Sequence, residues 1–162
     1  MENYSIRKIK KEDNPAVAAL IRAVFDELNI PKVGTAYEDP YLDLMFEEYS
    51  KPKSVYYVLE KDGKIIGSSG VAPLENEAET ICELQKMYFL PETRGLGIGS
   101  QMMAKCLQGA KDFGFEKCYL ETMPFMLDAQ KLYKKVGFEY ISAPMGSTGH
   151  TSCPVWMLKE LI

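Results

Sequence analysis

Three glycines alternate with bulkier residues in "LPETRGLGIGSQMM", residues 90–103: Gly95, Gly97 and Gly99 follow Arg94 and precede Ser100. The run separates a strand-like segment from a helix-like one. A strand–turn–helix junction gathers the free backbone N–H groups of a helix start at one point, where the helix dipole also favours negative charge. Glycine lets a phosphate approach the backbone and supplies positive φ where the turn needs it. Arg94 adds a permanent cation whose fork matches phosphate oxygens. The same glycines would equally serve a tight turn with close helix-to-sheet packing. A Walker A loop is excluded, because no Gly-Lys-Ser/Thr follows. A dinucleotide-binding fingerprint stays open: Ser100 stands where its third glycine belongs, and Glu121 lies near the expected ribose-binding acid. Against it, residues 91–94 intervene after the strand, and little chain is left for the remaining parallel strands.

Hydrophobic period shows what must position this junction. Tyr4–Ile9 reads as a strand. Asn14–Leu28 carries Val17, Leu20, Ile21, Val24, Phe25 and Leu28 on one helical face, with Asn14 as its cap and Pro15 at its first position. A second helix is expected over Tyr41–Tyr49. "SVYYVLE" and "IIGSSGVAP" flank an Asp-Gly turn, a hairpin signal. A third strand covers Thr80–Leu90 and is stopped by Pro91. A helix runs from Ile98 to near Gly114, then a strand "KCYLET", a helix carrying Ala129, Leu132, Tyr133 and Val136, and two strands, "FEYIS" and "CPVWMLKEL". The order β-α-α-β-β-β-α-β-α-β-β predicts an α/β (α+β) fold, a mixed sheet with helices on its faces. Residues 1–162 are expected to form a single domain.

Composition narrows the partners. A net charge of −4 and a pI near 5.2 provide no field for a nucleic-acid backbone. No apolar run approaches the roughly 20 residues that span a bilayer, and the N-terminus lacks a signal-peptide core, so a cytoplasmic location with no membrane partner is expected. Cys82, Cys106, Cys118 and Cys153 lie far apart and the chain has one histidine, His150, so no metal site is expected.

"ELQKMYFLPETRGLGIGSQMM" resembles the acyl-coenzyme A signature of the GNAT superfamily of N-acetyltransferases, R/Q-x-x-G-x-G/A, filled here by Arg94, Gly97 and Gly99. "AQKLYKKVGF" is similar to the family's L-Y-x-x-x-G-F segment, with Leu132, Tyr133, Gly137 and Phe138 in place. The two motifs stand in family order at a family-like separation. The resemblance implies a GNAT-like, mostly antiparallel sheet with helices on both faces, acetyl-CoA as co-substrate, and acetyl transfer to a primary amine of a small molecule or peptide.

Residue by residue, it implies that Arg94, Gly95, Leu96, Gly97, Ile98, Gly99 and Ser100 hold the coenzyme's pyrophosphate, mainly through backbone N–H groups. Met87, Tyr88 and Phe89 pair with the pantetheine arm, and a bulge there splays the sheet. Leu84 and Met87, both apolar but three apart, fit such a break, as they fit burial on both sides. Tyr133 takes the general-acid position; its place on an apolar helical stripe also suits plain packing. Glu83, four residues before Met87, is the expected base, with a solvated strand residue as the alternative reading. His150 is the runner-up base. Met126 stands where the family often has an asparagine, so that polar contact is missing, and Pro124 shifts the start of the last helix. Asp26, Glu27, Glu38, Asp39, Asp43, Glu47 and Glu48 face only Lys32 within their segment, favouring a cationic amine if they line the entrance and meaning nothing if they are solvated helix faces. A sensor that binds acyl-CoA without turnover is the alternative to an enzyme, and a homodimer stays open.

Overall fold

A computed structural model describes residues 4–162. Seven strands form one sheet: β1 (Tyr4–Lys8), β2 (Val55–Lys61), β3 (Lys64–Pro73), β4 (Ile81–Phe89), β5 (Lys117–Thr122), β6 (Glu139–Ile141) and β7 (Val155–Glu160). Its order is β1-β2-β3-β4-β5-β7-β6. Every neighbouring pair is antiparallel except β4 and β5. One parallel pair cannot make the serial β-α-β half that a dinucleotide fold requires, so the fingerprint alternative fails on topology.

The hairpin between β2 and β3 turns on Asp62 (φ 50°) and Gly63 (φ 80°), the two positive φ values of a type I′ turn. Strand alternation then sorts two cores. Tyr56 and Val58 meet Val17, Ile21 and Phe25 of α1 (Asn14–Glu27) on one face. Val55, Tyr57 and Leu59 meet Met102, Met103, Cys106 and Ala110 of α3 (Ile98–Asp112) on the other. Both faces of β2 are therefore covered, which explains its unbroken apolar run. The last helix, α4 (Leu127–Lys135), packs on the α3 side through Tyr133.

Two local expectations change. Asn14 is the first helical residue of α1, not its cap. Its Oδ1 accepts from the Phe46 N–H at 2.8 Å and its Nδ2 donates to Glu47 at 2.7 Å, tying α1 to α2 (Met45–Glu48). The second helix is that single turn, because residues 39–44 are taken up by turns closed by Leu42 N–H to the Asp39 carbonyl and Leu44 N–H to the Tyr41 carbonyl.

The irregularity in β4 positions the site. Gly70 pairs with Gln85 and Ser68 with Tyr88, so Lys86 and Met87 together oppose Ser69. This is a bulge, and Lys86 adopts a left-handed φ of 51° to make it. The Tyr56 hydroxyl donates to the Lys86 carbonyl at 2.9 Å, satisfying an acceptor that has left the ladder. The β4–β5 ladder spans only residues 81–83 against 117–119. Past that point the two strands diverge, and the opening between them runs toward the glycine loop on one side and the α1–α2 loop on the other.

Candidate active site

The glycine loop follows β4 through a short 3-10 turn, Pro91–Thr93. Gly95 (φ 82°) and Gly97 (φ 74°) are both left-handed, and Gly97 is the N-cap of α3 with no side-chain capping bond. The first-turn N–H groups of α3 are therefore open to an anion. A Cβ at either glycine would meet nothing within 4 Å, so the space in front of the loop is empty of protein. Gly99 differs: its Cβ would lie 3.1 Å from Leu132 Cδ2. Close helix packing thus accounts for Gly99, while backbone φ and open approach account for Gly95 and Gly97. Leu96 is half-exposed and Ile98 is core. Arg94 donates to both Glu27 oxygens, at 2.6 and 3.1 Å, and to the Phe89 carbonyl at 2.9 Å, so its fork ties the loop to the end of α1.

From this loop a trough of about 540 Å³ runs along Met87, Tyr88 and Phe89 toward α4. A second, narrower cavity of about 60 Å³ lies on the other side of the β4 bulge, walled by Phe25, Ala36, Glu83, Gln85, Glu121 and His150 among others. Met87, Tyr88, Met126 and Tyr133 border both spaces. Tyr133 is buried, with its ring centroid 6.0 Å from that of Phe138. Among the described residues its hydroxyl has no hydrogen-bond partner, and it is open to the cavities instead of enclosed. Burial holds the phenol above the ordinary tyrosine value, so it is a neutral O–H at physiological pH.

Glu83 is 6% exposed and accepts from Gln85 Nε2 at 2.7 Å. Burial pushes its carboxyl up to about 7, the Gln85 bond opposing and the Glu121 carboxylate adding to the rise. His150 lines the same cavity, with Nε2 3.0 Å from Asp39 Oδ1. It is a partnered wall residue and not a solvated loop histidine.

Sequence reasoning missed the groups that hold this wall. Asp39 Oδ2 pairs at 2.8 Å with Lys86 Nζ, whose side chain is 1% exposed and which also donates to the Tyr41 hydroxyl at 3.1 Å. The available signal was "QK" inside an apolar strand: strict alternation puts one of the two on each face, and a buried lysine there demands a partner. Asp39 stands in the sequence only as one of the acidic stretch, with nothing to mark it as the partner of Lys86. The expected acidic entrance is neutralised by cations from outside the segment, Arg22 on Asp43, Lys51 on Glu48, Arg94 on Glu27 and Lys86 on Asp39. The carboxylates left at the cavity are Glu83 and Glu121. Among the described residues no His, Cys, Asp and Glu group of three or more could hold a metal ion, and no helix is long and apolar enough to cross a membrane.

The sequence profile of the Acetyltransferase (GNAT) family matches residues 20–138. The uncharacterized N-acetyltransferase YjgM of Escherichia coli is 43% identical over 157 residues, 96% of this chain and 94% of its own length. In structure, an acetyltransferase of the GNAT family from Staphylococcus aureus Mu50 superposes with a TM-score of 0.88 at 19% identity, covering 99% of this chain and 100% of that one. An acetyltransferase of Salmonella typhimurium, solved with its cofactor acetyl-CoA, gives a TM-score of 0.78 at 15% identity over 98% of this chain and 94% of its own.

Proposed function

Because the chain belongs to the GNAT family and is an N-acetyltransferase that works with acetyl-CoA, we propose that it acetylates a small primary amine where the two cavities meet, with Tyr133 as general acid and Glu83 as base. The carrying observation is the Tyr133 hydroxyl, unpartnered among the described residues, on an otherwise buried side chain at the boundary between them.

The residues present fit the co-substrate. The empty approach to Gly95 and Gly97 and the uncapped start of α3 suit a pyrophosphate, and the apolar trough beyond suits an extended arm. Gly95, Leu96, Gly97, Ile98, Gly99 and Ser100 would hold the phosphates through backbone N–H groups, and Arg94 would reach them by leaving Glu27. Met87, Tyr88 and Phe89 lie on the edge of β4 that has no strand partner past residue 83, so they can pair with the arm. Acetyl-CoA supplies a thioester, whose carbonyl carbon is open to an amine and whose sulfur can depart.

The ammonium gives its first proton to solvent before attack, and Glu83 takes the second, which the nitrogen must lose as it bonds to the acetyl carbon. A backbone N–H of the Met87–Phe89 segment donates to the carbonyl oxygen as charge develops there. Tyr133 gives its proton to the sulfur as the C–S bond breaks; the desolvation that makes this phenol a weak acid also makes a thiolate beside it a stronger base. The proton on Glu83 then returns to Tyr133 through solvent, and both groups are reset. The narrow acceptor cavity, with Glu83 and Glu121 on its wall, favours a small cationic amine over a bulky acceptor.

Ligand-induced stabilisation tests this reading, since a ligand bound only to the folded state raises the apparent Tm. Acetyl-CoA should raise it, and amines should release free thiol from acetyl-CoA in a protein-dependent way. Stabilisation by NAD alone, or tight acetyl-CoA binding with no turnover on a broad amine panel, would refute it.

A further inference from the structure

We propose that Gln85 is a positioning residue for Glu83: its carboxamide, oriented by the Tyr49 hydroxyl, donates to one carboxylate oxygen and leaves the other for the acceptor's proton. The inference rests on Glu83 as the base.

Glu83 and Gln85 are two apart in β4, so the pleat sets both on the acceptor face, ahead of the bulge that interrupts alternation at Lys86. Gln85 Nε2 donates to Glu83 Oε1 at 2.7 Å, and Gln85 Oε1 accepts from the Tyr49 hydroxyl. With Glu83 ionised, the chain of bonds has one sense. An ionised carboxylate only accepts, so the amide nitrogen must face it, and the amide oxygen is then left for the phenol's O–H. Flipping the amide would set its oxygen against the carboxylate and strand the Tyr49 donor. Tyr49 is buried, its ring centroid 4.7 Å from that of Tyr56, the residue that holds the Lys86 carbonyl. The bulge and the amide are therefore fixed by the same pair of rings. Among the described residues, Glu83 Oε2 has no hydrogen-bond partner.

The groups facing Glu83 divide by sign. Gln85 and Lys86 of β4 and His150 of the β6–β7 loop favour its anion, while Glu121 of β5 and burial oppose it. Tyr49, packed behind Gln85, is neutral, its phenol held far above the ordinary value by burial. Losing the Gln85 donor removes a bond made to the charged form, so the carboxyl keeps its proton to higher pH.

The test is kcat/KM for the amine against pH, at saturating acetyl-CoA, in wild type, Gln85→Leu, Tyr49→Phe and Glu83→Gln. The acidic limb in Gln85→Leu should move up by about one pH unit, the scale of one hydrogen bond to a charged group. Activity near pH 6 should then fall by about tenfold and recover in alkaline buffer. Tyr49→Phe, which deletes only the orienting hydroxyl, should move the limb the same way by less, with the coenzyme Kd unchanged. Glu83→Gln should lose the limb near pH 7 and keep only the one set by the amine's own ionisation. A Gln85→Leu profile lowered by one factor at every pH, or a limb left in place in both Gln85→Leu and Tyr49→Phe, overturns the role of Gln85 alone. A limb near pH 7 that survives in Glu83→Gln overturns the base and this inference with it.

Discussion

Asp39 Oδ2 lies 2.8 Å from Lys86 Nζ, so a loop between α1 and α2 is clamped by an ion pair to the bulge of β4. The same carboxylate holds His150, and three segments around the narrower cavity converge on one residue.

Asp39→Asn should destabilise the protein by roughly 3 kcal/mol, because removing one partner leaves the Lys86 ammonium buried beside little but the Tyr41 hydroxyl. Lys86→Met should cost less, since Asp39 keeps His150. The folded carboxyl of Asp39 sits below its ordinary value: burial alone would raise it, but the His150 and Lys86 contacts outweigh that. Its contribution is therefore full above the unfolded value, near 3.8, and is lost as pH falls through the lower folded one. Thermal unfolding from pH 3 to 7 should show this loss in wild type and not in Asp39→Asn.

Gly97 and Gly99 should respond differently to a methyl group. Gly97→Ala puts a Cβ in empty space at φ 74°, so it should cost about 1 kcal/mol of strain and weaken acetyl-CoA binding by tenfold or more, by calorimetry. Gly97→Asn, which tolerates this φ, should keep more stability but recover no affinity. Gly99→Ala presses on Leu132 and should act mainly on Tm.

The burial of Glu83, the proposed base, costs stability once the carboxyl ionises. Its folded carboxyl, near 7, is above the unfolded one, so the folded protein holds this proton more tightly. The stability that this group contributes is full below the unfolded value, near 4.5, and is lost as pH rises to about 7. Glu83→Gln should therefore unfold at a higher temperature than wild type at pH 8, by about 2–4 °C for each kcal/mol relieved, while transferring little acetyl. Equal melting curves at pH 8 would contradict an ionised, buried Glu83.

Most of the fold was legible because its signals are local. The Asp62–Gly63 turn, the four-residue spacing in α3 and the glycine junction each depend on a few neighbouring residues. Asn14 was misread because its side chain serves Phe46 and Glu47, more than thirty residues away, and a cap-type residue shows only that it bonds backbone nearby. Glu83 and Tyr133 were nameable through the two motifs. Gln85, Lys86 and Asp39 were not, since buried polar pairing is decided by which loop folds over which strand. The acidic stripe kept two readings open for the same reason: counter-ions for four of its residues come from Arg22, Lys51, Lys86 and Arg94, outside the segment.

Tyr133→Phe tests the central claim most directly, because it deletes one hydroxyl that no other described residue bonds and leaves the packing on Phe138 in place. Acetyl transfer to the best small amine should be measured together with acetyl-CoA affinity and Tm. An unchanged fold, an unchanged Kd and a kcat lower by roughly 10²-fold are the predicted result. Full activity in Tyr133→Phe would contradict the account and return Tyr133 to the core.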